Sequence, residues 1–251
     1  MKTGLTITIG LLLVSSVGAC INSSLYENRI EQEFPPIGDM VDVKGAKVHV
    51  IKSGGVGDVV MLIHGASANA REFLHTLSPA LDPDLAVLMP DRPGHGYSGR
   101  PARSDTLKVQ ADQMAGVLEQ TLSGTQQAVV VGHSYGGAVA LRLALDHPDL
   151  VKAVVLLAPV THDWGGGGAA WYNTAAGVPV LGLAFSQFAP IAGPSMAESG
   201  IKGVFEPQPA PEDYIETSGL ELLFRPGEFR ANAKDVNALM DELGAQQERY
   251  P

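Results

Sequence analysis

The stretch that most constrains this chain is a short apolar run followed by a glycine-flanked serine. Ala128-Val129-Val130-Val131 leads into Gly132-His133-Ser134-Tyr135-Gly136-Gly137, and Ala138-Val139-Ala140-Leu141-Arg142-Leu143-Ala144 follows with a helical composition. A strand that turns this sharply into a helix exposes the side chain at its apex. It also aims the free N–H groups of the helix N-terminus at the same point. The apex is Ser134, inside Gly-x-Ser-x-Gly. Glycines on either side suit a strained turn whose neighbours pack too closely for a Cβ. Ser134 is therefore the candidate nucleophile, and the strand and helix beside it speak against a merely structural Gly-rich turn.

Other parts of the chain have the same rhythm. Residues 58–63, 85–89 and 151–157 are short apolar runs without polar alternation, as in strands buried on both faces. Residues 40–43 and 46–52 read as two antiparallel strands, with Val48 and Val50 inward and Lys47 and His49 outward. One predicted helix passes through Phe73, Leu74, Leu77 and Leu81. Another, capped by Ser104 or Asp105, carries Leu107, Ala111, Met114, Leu118 and Leu122 on one face. The implied fold is α/β: a mostly parallel sheet with helices on both faces and functional groups at the C-terminal strand ends. His64, Asp91, Ser134 and Pro159 fall at such ends.

From 160 to about 225 the rhythm breaks into an apolar stretch punctuated by Gly and Pro, including Gly165 to Gly168, Trp171 and Tyr172. It reads as an inserted lid. Residues 226–243 return to helix, with Phe229, Val236, Met240 and Leu243 on one stripe.

The net charge of −10 argues against nucleic acid as a partner. Cys20 is the single cysteine, so no intrachain disulfide can form. Residues 5–19 are uncharged and apolar behind Met1-Lys2, as in a secretory signal peptide spanning 1–19. Val17-Gly18-Ala19-Cys20 resembles a bacterial lipobox. It implies export to the cell envelope and a membrane-inserted lipid at Cys20, with 20–38 as an irregular tether and 39–251 as the folded domain. A plain signal peptide or an uncleaved anchor are the alternatives.

Three motifs in order carry a family resemblance: His64-Gly65-Ala66, Asp91-Arg92-Pro93-Gly94-His95-Gly96-Tyr97-Ser98, and Gly132-His133-Ser134-Tyr135-Gly136-Gly137. Together they resemble the α/β-hydrolase fold, in particular its lidded serine esterases, lipases and cofactor-free haloperoxidases. The resemblance implies Ser134 as nucleophile and the backbone N–H groups of Ala66 and Tyr135 as the oxyanion hole. It further implies His64 as a buttress of the oxyanion loop, Asp91 as the residue ordering its turn, and His133 packed under the elbow.

A serine needs a base and an orienting acid. In the family these follow later strands, which puts them beyond Pro251 and implies a C-terminally truncated sheet whose last strands are missing. Within the chain, His95 and His162 are weaker candidates for the base, His147 lies toward the opposite edge, and Asp163 is a candidate acid.

Gly94-His95-Gly96-Tyr97-Ser98-Gly99 matches a dinucleotide fingerprint in form, but Arg100-Pro101 follows where a helix should open. No metal or cofactor motif is present. The expected function is hydrolysis of a small carboxylic ester or similar acyl substrate through an acyl-enzyme at Ser134. The alternative is a non-catalytic lipoprotein that uses the same fold as a binding scaffold.

Overall fold

The computed structural model describes residues 2–165 and 170–251, with side chains described from residue 17 onward. Most of the Gly165-to-Gly168 run and the side chains of the N-terminal apolar run lie outside the described residues. The strands are β1 (Asp39–Val43), β2 (Ala46–Gly54), β3 (Val59–Ile63), β4 (Ala86–Pro90), β5 (Ala128–His133) and β6 (Val151–Leu157). They form one sheet in the order β1-β2-β4-β3-β5-β6. β2 is antiparallel to β1 and β4, and the other pairs are parallel. The parallel centre is the physical consequence of strands such as Val59–Ile63, every residue of which is buried.

One sheet face packs on α3 (Leu107–Thr121) and α4 (Tyr135–Asp146), joined by Leu239 and Leu243 of α9 (Pro226–Gln247). The other face is covered by Phe73, Leu74, Leu77 and Leu81. The helix expected through these four breaks into α2 (Arg71–Leu74) and a 3-10 turn at Ser78–Ala80. Pro79 has no N–H to donate back to the His75 carbonyl, so a continuous helix cannot run through it. The α3 cap is Thr106 rather than Ser104 or Asp105: its hydroxyl accepts from the Val109 N–H at 3.3 Å. Ser104 is buried and donates instead to the Pro101 carbonyl.

Residues 20–38, expected as an irregular tether, are helical as far as Glu33. Helix α1 (Lys2–Glu33) carries Tyr26 and Ile30, which together with Phe34 just past its end pack on Leu222, Leu223 and Phe224. Their spacing of four places all three on one helical stripe. No helix among the described residues is long and apolar enough to cross a membrane.

The segment after β6 holds α5 (Trp171–Gly177), α6 (Leu181–Ser186), α7 (Ala189–Phe205), α8 (Tyr214–Ser218) and a 3-10 turn, Leu220–Phe224. Its far end reaches the loop after β3, where Asn69 Nδ2 donates to the Ser218 and Gly219 carbonyls at 3.1 and 3.0 Å. β6 is the sheet's edge: Val155 and Leu156 are 43% and 37% exposed. An apolar groove of about 370 Å³ runs beside it, lined among others by Val60, Val129, Val131, Val155 and Leu157.

Candidate active site

β5 delivers Ser134 to the C-terminal edge of the sheet, and α4 starts at the next residue. Ser134 has φ 50° and ψ −116°, a conformation that non-glycine residues rarely adopt. Three backbone bonds hold it there. Its N–H donates to the Leu157 carbonyl at 3.0 Å, and its own carbonyl accepts from Gly137 and Val160 N–H at 3.0 and 3.1 Å. Packing allows only glycine beside it. A Cβ at Gly132 would lie 2.4 Å from the Gly136 carbonyl oxygen, and one at Gly136 would lie 2.1 Å from that of Ile63.

The loop after β3 closes on the elbow. A Cβ on Gly65 would come within 3.3 Å of the Ser134 Cβ. Among the described residues, neither the Ala66 nor the Tyr135 N–H has a backbone or side-chain acceptor, and Tyr135 opens its helix with a free donor. Neighbouring groups fix the loop. Gly65 N–H donates to Glu72 Oε2 at 3.0 Å, and Ser67 N–H donates to Asn232 Oδ1 on α9 at 2.7 Å. His64 uses both ring nitrogens: Nδ1 donates to the Gly65 carbonyl and Nε2 accepts the Arg92 N–H, each at 2.9 Å. Burial, reinforced by the Arg92 guanidinium, lowers its pKa to about 4. His64 is thus a neutral strut of the loop at ordinary pH.

Behind the loop lies a buried polar cluster. Asp235 of α9 accepts from Arg92 Nη1 at 3.1 Å and from Arg100 Nη2 at 2.7 Å. Gln110 Nε2 lies 3.1 Å from both Asp235 and the Tyr135 hydroxyl. The Arg92 guanidinium sits over the Tyr135 ring at 4.3 Å. Asp91 accepts from Ala70 N–H at 2.7 Å, Tyr97 N–H at 2.9 Å and His49 Nδ1 at 2.7 Å. Burial works to raise its pKa, and these bonds with the nearby His49 outweigh it, leaving the carboxyl below its ordinary value.

Several sequence-based placements change. His49, read as outward, is buried, because the strand end is closed by Asp91 and by Gly38, whose N–H donates to His49 Nε2 at 3.1 Å. His133 is half-exposed rather than packed beneath the elbow, and it pairs with Glu72. The α9 stripe is also rotated. Its buried face carries Glu228, Asn232, Asp235 and Gln246 beside Leu239 and Leu243, while Phe229, Val236 and Met240 are only partly buried.

The described bonds engage the candidate bases elsewhere. His95 is fully buried against His64 and Arg92, and burial followed by Arg92 holds its pKa well below 6.5. His162 is exposed, 2.8 Å from the Thr161 hydroxyl and edge-on to Tyr250. His147 pairs with Asp112. The candidate acid Asp163 is exposed and accepts the Gly165 N–H at 2.8 Å, with no histidine paired to it among the described residues. No group of three or more His, Cys, Asp or Glu among the described residues could hold a metal ion. Cys20 is exposed on α1.

The strand order, the elbow and the loop facing it agree with a match to the family model described as the alpha/beta hydrolase fold, over residues 58–188. The chain belongs to the alpha/beta hydrolase fold family.

Within this family the chain is 36% identical over 130 residues to a dihydrolipoyllysine-residue acetyltransferase component of an acetoin cleaving system from Cupriavidus necator. That alignment covers 52% of this chain and 34% of the relative. It is 35% identical over 129 residues to a 2-hydroxymuconate semialdehyde hydrolase of Pseudomonas, covering 50% and 44%. A lipase of Mycobacterium tuberculosis shares 40% identity over 113 residues, covering 45% and 41%. These matches therefore span less than half the length of each curated relative. Among solved structures, an esterase from Exiguobacterium antarcticum superposes with a TM-score of 0.58 at 22% identity, covering 82% of this chain and 74% of the esterase. The epoxide hydrolase CorEH gives a TM-score of 0.59 at 21% identity, covering 84% and 76%. At these identities the structures speak for the fold alone.

Proposed function

We propose that this alpha/beta hydrolase is a serine hydrolase that takes a small carboxylic ester or similar acyl substrate through an acyl-enzyme at Ser134. The conformation of Ser134 carries the reading: a half-buried serine in a left-handed backbone, with two acceptor-free N–H groups on the flanking turns. Attack by Oγ on an ester carbonyl places negative charge on the carbonyl oxygen. The N–H groups of Ala66 and Tyr135 would stabilise that charge, and losing one such donor typically costs about 2.7–4 kcal/mol of transition-state stabilisation. The names of the relatives, a lipase and a semialdehyde hydrolase among them, support hydrolysis as the reaction class.

A fluorophosphonate probe tests this directly. It labels the full-length protein, with the base and acid in place, and not its Ser134→Ala variant. Equal labelling of both overturns the assignment, and no labelling of either favours the fold serving as a binding scaffold.

For the N-terminus we infer export and lipid attachment at Cys20, from the apolar run and the lipobox-like residues before it. Ala19, just before the cut, is buried, and the docked face continues past Cys20 through Ser23, Tyr26 and Ile30, so processing there would leave those three contacts intact. Metabolic labelling with an alkyne fatty acid in a bacterial host should mark the wild type and not Cys20→Ala. Equal labelling overturns the inference.

A further inference from the structure

Away from Ser134, a cavity of about 440 Å³ opens between α1, α6 and α9. This size lies within the ordinary range for small-ligand sites. One wall is a single face of α9, where Gly227, Arg230 and Lys234 follow at helical spacing. Arg100 enters from the loop after β4, and the facing wall is Ser24 and Glu27 of α1. On a chain of net charge −10, this concavity concentrates cations.

The cations differ in what they already hold. Arg100 is committed to Asp235 and to the Pro93 carbonyl. Arg230 and Lys234 make no ion pair among the described residues. The Nε of Arg230 is sealed from solvent and has no acceptor among the described residues. A guanidinium with an unmet donor and no ion pair is costly to hold, and an anion in the cavity against its solvent-accessible atoms would offset that cost. The first turn of α9 adds its positive dipole end on the same side.

We propose that this cavity binds a phosphate group, held by Arg230 and Lys234 with Arg100 behind them. Donors arriving from one helix face and from a separate loop suit a tetrahedral anion better than a planar carboxylate. Glu27, half-buried on the opposite wall, is the counterweight, since its charge opposes the ligand. The same chemistry is offered by a free phosphate ester and by a phospholipid headgroup. Cys20 lies one turn before Ser24, whose hydroxyl donates to the Cys20 carbonyl at 3.1 Å.

The test is calorimetric titration of the full chain with inorganic phosphate and with phenyl phosphate. Cosedimentation follows, with phosphatidylcholine vesicles made with and without phosphatidylglycerol. Arg230→Gln and Lys234→Gln each weaken phosphate binding by about tenfold, the loss of one charged hydrogen bond. Glu27→Gln strengthens it, and Ser134→Ala leaves it unchanged. Lys234→Gln and Glu27→Gln alter partly exposed side chains, so they carry the test even if Arg230→Gln misfolds. Vesicle binding that needs phosphatidylglycerol and is lost in Lys234→Gln assigns the site to a lipid headgroup. Phosphate binding without vesicle binding assigns it to a soluble phosphate ester. No phosphate binding by the wild type, or affinities that do not move in Lys234→Gln and Glu27→Gln, overturns the proposal.

Discussion

Glu72 and His133 form an ion pair that joins the two halves of the serine site. The same carboxylate accepts the Gly65 N–H at 3.0 Å, so one side chain fixes both the oxyanion loop and the residue preceding Ser134. Glu72 touches no reacting atom, and its expected role is positional. Because small misplacements at a reacting centre are expensive, Glu72→Ala should slow fluorophosphonate labelling of Ser134 by about tenfold to a hundredfold. Glu72→Gln, which keeps an acceptor for Gly65, should recover part of that rate. A labelling rate unchanged in Glu72→Ala would separate this pair from the site's function.

His64 and His133 should respond to acid in opposite directions. The hydrogen bond that His133 donates to the Glu72 carboxylate raises the His133 pKa against partial burial, so its contribution to stability is fully present below the unfolded value of about 6.5. That contribution is lost as pH climbs through the raised folded value. His64, lowered to about 4 by burial and Arg92, binds its proton less readily in the folded chain than in the unfolded one. Its effect is a loss of stability as pH falls from about 6.5 toward 4, roughly 3 kcal/mol when complete. Imidazole NMR titration checks both: His133 stays charged above pH 6.5, while His64 remains neutral until near pH 4.

Asp235 is the sole carboxylate recorded against both Arg92 and Arg100 among the described residues, and it is itself fully buried. Removing one member of such a set leaves an uncompensated interior charge. Asp235→Asn should therefore destabilise the chain by about 3–5 kcal/mol, read from urea unfolding. A change under about 1 kcal/mol would show that Gln110 and water suffice to satisfy the arginines.

The β6 edge predicts association. Apolar strand edges without charge or proline toward their centre template pairing with other chains. Val155 and Leu156 lie in such a run, although Lys152 sits near its start. Val155→Lys should lower the apparent oligomer size in sedimentation velocity while leaving probe labelling of Ser134 intact. A wild type that stays monomeric at high concentration would contradict this reading.

The sheet was legible because its strands are short apolar blocks punctuated by glycine and proline, and each falls within a residue or two of its expected place. The elbow was legible because its geometry demands glycine at defined positions. The polar skeleton was not. Asp235 sits on α9 in a face that hydrophobic spacing assigns to solvent, and its burial is matched by a pairing with Arg92, 143 positions away in sequence and so invisible to local spacing. His49 follows strict alternation on β2 yet is enclosed by Asp91 and Gly38, which come from other parts of the chain. Glu72 looks like an ordinary helix-start carboxylate until the fold brings Gly65 and His133 to it. The docking stripe of Tyr26, Ile30 and Phe34 was present in the sequence, but the polar residues around it disguised it as a tether.

The backbone angles at Ser134 set stability against chemistry at one position. A residue held at φ 50° and ψ −116° occupies a region where glycine is at ease, and any side chain costs on the order of 1–3 kcal/mol. Folding alone would therefore favour glycine at 134. Serine there is a standing thermodynamic debt, compensated only if the hydroxyl is used. Alanine inherits the debt without the hydroxyl, so Ser134→Ala isolates the loss of chemistry, while Ser134→Gly would show a fold made more stable by giving that chemistry up.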